Sequence, residues 1–151
     1  MKKIVILLIV IIPFVSCVTG PSEQEMNEDI INFELPMMPS EGESLVYIVR
    51  PQSVGMLISF KVYIDEKSEE YYVGETKGSE YIYFPITPGN HEILSKAENL
   101  AKLEMQIEPG KVYFLEQIPK MGILVARNNL QIIQDINGKY WVKNLKPGKM
   151  K

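Results

Sequence analysis

Leu57-Ile58-Ser59-Phe60-Lys61-Val62-Tyr63-Ile64-Asp65 is the stretch that decides the fold. Ile58, Phe60, Val62 and Ile64 recur at every second position, so a strand places all four on one face. The β-branched and aromatic content suits a half-buried pleated surface. The same pattern continues on both sides. Upstream, Leu45-Val46-Tyr47-Ile48-Val49-Arg50 forms a strand stopped by Pro51. Downstream, Glu70-Tyr71-Tyr72-Val73-Gly74-Glu75 follows a charged turn, and Glu80-Tyr81-Ile82-Tyr83-Phe84-Pro85-Ile86 comes next. Pro88-Gly89-Asn90 turns the chain into His91-Glu92-Ile93-Leu94-Ser95, and Leu103-Glu104-Met105-Gln106-Ile107 alternates again. Pro109-Gly110 leads into residues 111–118, and Ile123-Leu124-Val125-Ala126 and Leu130-Gln131-Ile132-Ile133 complete the series. Eight or nine short strands at spacings of roughly 8–12 residues describe a sandwich or barrel, not alternating β-α units.

Two readings stand for the segment after the last strand. Asp135 can cap a short helix through Leu145, with Trp141 and Leu145 on one side at i, i+4. Alternatively, Asn137-Gly138 is a hairpin turn leading into an edge strand at Tyr140-Trp141-Val142. Lysines at 143, 146, 149 and 151 make the end of the chain read as a solvated basic tail, residues 146–151.

The opposite end has a different character. Met1-Lys2-Lys3 is a short positive region, residues 4–15 are apolar apart from Pro13, and Ser16 precedes the only cysteine, Cys17. This is the layout of a secretory signal peptide. The apolar run falls short of the roughly 17–25 residues of a spanning helix. Phe14-Val15-Ser16-Cys17 resembles a bacterial lipobox, with Phe14 where leucine is preferred. That resemblance implies cleavage before Cys17, a diacylglyceryl group on its thiol and an acylated amine. Two or three acyl chains anchor stably, at roughly 0.8 kcal/mol per buried methylene. Loss of Lys2 and Lys3 takes the charge from −3 to −5, so attachment must come from the acyl chains and not from attraction to anionic lipid. Val18 stands where an aspartate would mark inner-membrane retention, which favours the outer membrane. An uncleaved signal anchor with an ordinary buried cysteine is the alternative. Residues 17–43, with Gly20-Pro21-Ser22, four acidic residues between 23 and 29, Pro36 and Pro39, read as a flexible lipidated tether. Ile30, Ile31, Phe33 and Leu35 are its candidates for docking as a short strand or turn. The β-domain then spans residues 44–145.

Tyr47-Ile48-Val49-Arg50-Pro51, Val62-Tyr63-Ile64-Asp65, Gly78-Ser79-Glu80-Tyr81, Pro88-Gly89-Asn90-His91 and Pro109-Gly110-Lys111-Val112-Tyr113-Phe114 occur in an order that resembles the domain-of-unknown-function family 2846. Members of that family are commonly small lipoproteins. Asp65-Glu66-Lys67 departs from it, since the family usually has Asp-Gly there. The Pro-Gly-x-His turn also occurs in PEGA-type surface β-domains. The resemblance implies an Ig-like or transthyretin-like sandwich of short antiparallel strands, an envelope location and a non-catalytic module.

The chemical inventory is short. One cysteine excludes an internal disulfide and Cys-cluster zinc sites, and one histidine excludes His-pair metal motifs. A charge of −3 argues against nucleic acid, which wants a basic face. His91 reads either as a base or ligand or as a residue that pins its turn. No G-x-S-x-G nucleophile accompanies it. Asp65, Glu66, Glu69 and Glu70 cluster at one turn without the spacing of a calcium loop. A carboxylate pair for glycoside hydrolysis, as in a small envelope hydrolase, leaves no sequence signature, because its members can lie far apart. Tyr81 and Tyr83 share a strand face, with Ile82 and Phe84 opposite, and are the candidate partner patch if they face solvent. The expected partners are membrane lipid through acylated Cys17 and an envelope protein or glycan, with no cofactor and no metal.

Overall fold

A computed structural model describes residues 20–151 apart from residue 125. The expected signal peptide and Cys17 lie outside the described residues. In chain order the elements are α1 (Glu23–Ile30), β1 (Ser44–Arg50), β2 (Phe60–Ile64), β3 (Tyr72–Thr76), β4 (Glu80–Ile86), β5 (Gly89–Lys96), β6 (Leu100–Ile107), β7 (Val112–Met121), β8 (Ala126–Ile132), α2 (Asp135–Asn144), β9 (Lys146–Pro147) and β10 (Lys149–Met150). One sheet has the order β8-β7-β1-β4-β9 and the other β10-β3-β2-β5-β6. The protein is mainly β and two-layered, as the spacing of its strands requires. The pairing is mixed, however, and not wholly antiparallel. β1 lies antiparallel to β4 but parallel to β7, and β4 lies parallel to β9. After β1 the chain passes to the second sheet for β2 and β3, returns for β4, goes back for β5 and β6, and re-enters the first as β7 from the end at which β1 began.

Two apolar layers result. Val46 and Ile48 of β1, Ile82 and Phe84 of β4 and Leu115 of β7 meet Val62, Ile93, Met105 and Ile107 of the other sheet. On the outer face of the first sheet, Leu45, Tyr47, Val49, Tyr81 and Phe114 pack beneath Val142 of α2, with Phe33, Leu35, Trp141 and Leu145 around them. All seven residues of β1 are therefore buried. The continuous apolar run from 45 to 49 is the mark of a strand covered on both faces.

Residues 135–144 form the helix rather than the hairpin, with Gln134 in the capping position. Gly138 lets α2 lie close on the sheet: a Cβ there would stand 2.1 Å from Cγ of Phe114. Trp141 and Leu145 both join the outer layer.

Three expectations are corrected. Residues 23–30 of the expected tether are helical, capped by Ser22 and Glu25 in reciprocal hydrogen bonds. Phe33 and Leu35 dock as foreseen, but Ile31 is exposed. The expected basic tail contributes a short strand to each sheet through β9 and β10, and Lys151 Nζ donates to the carbonyls of Glu69 and Glu70, both at 3.0 Å. Ile123 and Leu124 lie in the β7–β8 turn and Leu57 in the β1–β2 loop; none of the three is in a strand.

Candidate functional site

The tyrosine patch does not present the solvent face that its alternation allowed. Tyr81 is 7% exposed and Tyr83 only partly exposed. Their rings stand 6.3 Å and 5.3 Å from that of Tyr47, inside the outer apolar layer. The helix and the segment that precedes β1 cover this face. Burial pushes the Tyr47 hydroxyl up to about 12, although its bonds to Met37 oppose the shift. That hydroxyl donates to the Met37 carbonyl at 2.8 Å and accepts from the Met37 N–H at 2.9 Å, which ties the segment down.

His91 pins its turn. Nδ1 lies 2.9 Å from Oδ2 of Asp65 and Nε2 lies 3.0 Å from the carbonyl oxygen of Thr87. The other oxygen of Asp65 accepts the N–H of Glu92 at 2.9 Å. Asp65 itself takes φ 62°, the left-handed conformation that aspartate tolerates better than most residues. An aspartate thus makes a turn where a glycine would be the usual choice. Glu92 in turn accepts from Lys102 at 2.8 Å. Asp65, His91, Glu92 and Glu104 line a shallow concavity of about 630 Å³, yet the Asp65 and Glu92 carboxylates already have partners. Among the described residues no three His, Cys, Asp or Glu side chains converge to hold a metal ion.

The most unusual feature lies at the end of the sandwich where β1 finishes. Arg50 has no exposed surface, and its hydrogen bonds go to carbonyls. It donates to Ile58 at 2.7 Å, Gly55 at 2.9 Å and Val54 at 3.1 Å, and its Cζ sits 3.6 Å from the centre of the Phe60 ring. Burial pushes the guanidinium down to about 10, which leaves it charged at neutral pH. Beneath it a buried polar layer crosses between the sheets. The Thr76 hydroxyl donates to Gln117, whose amide donates to Ser95 Oγ at 2.8 Å.

Two loops are held in place at this end, the first of them by Arg50. Around the carbonyls gripped by Arg50, Val54, Met56 and Leu57 are 64%, 53% and 83% exposed. At the end of β7 and in the turn to β8, Met121, Ile123 and Leu124 are 96%, 87% and 90% exposed. This turn is fastened as well: Glu98 Oε2 accepts the N–H groups of Ile123 and Leu124 at 3.1 and 3.0 Å. The Asn99 side chain clasps the backbone of Asn128 at 2.7 and 2.8 Å. The loops are neighbours, since a Cβ on Gly55 would lie 3.4 Å from Cβ of Ala126. Six large apolar side chains thus protrude at one end from backbone fixed by charged and amide groups. Scattered exposed apolar residues need no explanation, but six on two adjoining loops make this end the candidate interaction surface. Sequence reading missed this site because it assigned residues 57, 123 and 124 to strands. Its available signal was Arg50, a charge that ends the apolar run of residues 45–49.

These features define a class: a two-sheet β-sandwich of mixed pairing, one face roofed by helices and one end tipped by fastened apolar loops. Residues 40–129 match the family described as protein of unknown function (DUF2846), and the chain belongs to that family. It is also similar to an uncharacterized protein of Haemophilus influenzae strain Rd, 32% identical over 108 residues. That match covers 71% of this chain and 62% of the relative.

Proposed function

We propose that the chain is a lipid-anchored protein of the bacterial cell envelope, in the outer membrane rather than the inner, whose non-catalytic sandwich binds another envelope component. The observation that carries the binding role is the fastened apolar end. Protruding apolar side chains favour association, and preorganised loops reduce the ordering cost of binding. Anchoring draws on the lipobox-like residues that end at Cys17. The non-catalytic reading draws on the engagement of Asp65 and Glu92, which leaves neither as a free acid or base beside His91. Metabolic labelling with a palmitate analogue tests the anchor. The wild type should take up label and Cys17→Ser should lose it; equal label in both would remove the proposal.

A further inference from the structure

The apolar end is oriented and charged in a way that selects its partner, and this inference rests on the envelope-binding reading above. Orientation comes from α1. Asn137 Nδ2 lies 3.5 Å from Met26 Sδ, and Lys143 Nζ lies 2.6 Å from Oδ1 of Asp29. The two helices therefore run in the same direction. α2 starts beside Gly110 and Lys111, at the end where β1 begins, and the chain after it bonds to Ser79 at the far end. Ser22 thus leaves the domain at the end opposite the apolar loops. Cys17 and Ser22 are five residues apart, which spans at most about 17 Å. The ten residues of β7 alone extend about 34 Å. A lipid on Cys17 would hold the near end at its bilayer, and the tether is too short for the loops to turn round and enter the same membrane.

Charge narrows the choice further. Lys77, Lys120 and Arg127 are exposed around the loops, and none forms an ion pair among the described residues. Lys120 and Arg127 stand directly opposite each other across β7 and β8, a cross-strand pairing of like charge that disfavours the free protein. Glu80, Glu98 and Glu116 also stand at this end, but they are half-buried and hydrogen-bonded to backbone N–H or side-chain amide groups, so the exposed charges flanking the loops are these three cations. Two copies meeting tip to tip would bring these cations together. A glycan would offer the six apolar side chains too little apolar surface. The six side chains stand 53–96% exposed, and a groove is the shape that buries such protruding groups.

We infer that the end formed by Val54, Met56, Leu57, Met121, Ile123 and Leu124 docks into an apolar groove on a protein partner, with Lys77, Lys120 and Arg127 facing carboxylates at the groove's rim. Complementary charge of this kind raises the association rate and rejects wrong partners. The test places a benzophenone amino acid at Leu57 or at Leu124 in the full chain, with Glu104 as a control position, and irradiates intact cells. Both loop positions should give an adduct with the same second polypeptide, and Glu104 should give none. Lys120→Glu with Arg127→Glu should lower the adduct at least fivefold, in a protein whose melting temperature is unchanged. An adduct of twice the chain mass, an adduct with lipid alone, different proteins at the two positions, insensitivity to charge reversal, or no adduct would each overturn the inference. Palmitate label measured in the same cells separates the two readings: label without adduct removes the docking inference alone.

Discussion

Arg50 brings a full positive charge to a position with no exposure, and its hydrogen bonds end on carbonyl oxygens. A buried charge is costly unless it is compensated, and here carbonyl dipoles and the Phe60 ring offset the cost, with only Nε left without a hydrogen-bond partner among the described residues. The arrangement makes structural sense if the β1–β2 loop must hold one shape. Arg50→Met removes the charge and leaves the carbonyls of Val54 and Ile58 without their donor, while the Gly55 carbonyl keeps the N–H of Ile58 at 2.8 Å. It should cost about 2–4 kcal/mol by the usual price of orphaned buried acceptors, read as a lower urea midpoint with an unchanged slope. A loss below about 0.5 kcal/mol, the range of ordinary surface changes, would show that the guanidinium is not what holds the loop. At this scale the sequence was only partly legible. His91 was readable as a turn residue because it follows Pro-Gly, and its bonds to Asp65 and Thr87 bear that out. Whether Tyr81 faces solvent was not legible, because alternation tells which residues share a face, not what covers the face. Arg50 was passed over because a charge beside Pro51 looks like the end of a strand.

Among the elements, α2 decides whether the first sheet has one apolar layer or two. Gly138 is the residue that permits it. Alanine normally stabilises a helix relative to glycine by about 1 kcal/mol. At 138 the added methyl would instead run into the Phe114 ring, 2.1 to 2.5 Å from three of its side-chain atoms. Gly138→Ala should therefore destabilise the protein, by about 1–3 kcal/mol as an overpacked core does, and calorimetry would register the lower melting temperature. A rise in stability would mean that the helix sits further from the sheet. Strands in the middle of the chain were legible because their two-residue period is strong. α1 was not read, since only Met26 of its eight residues is buried and the acidic composition resembles a spacer. Its signal was present in Ser22 and Glu25, three apart, whose side chains cap each other's backbone. β9 and β10, of two residues each, have no period to detect, and the parallel partnership of β1 and β7 depends on a path between sheets that local pattern does not encode.

Taken as a whole, the molecule is polar along its length. One end carries the departing amino-terminal segment and the acidic turn around Asp65 and Glu66; the other carries the apolar loops with Lys77, Lys120 and Arg127. The mainly β architecture and its two layers follow from the strand spacing. The division of labour between the ends does not, because it arises from which loops the topology gathers. If the proposed anchor and partner are right, hydrogen exchange should distinguish two states: the protein in native membranes and the same protein purified in detergent. Amides of residues 54–57 and 121–124 should exchange at least tenfold more slowly in the membranes, while those of α1 exchange alike in both. Equal exchange of the two loops in both states, or protection confined to another face, would contradict the assignment of this end as the binding surface.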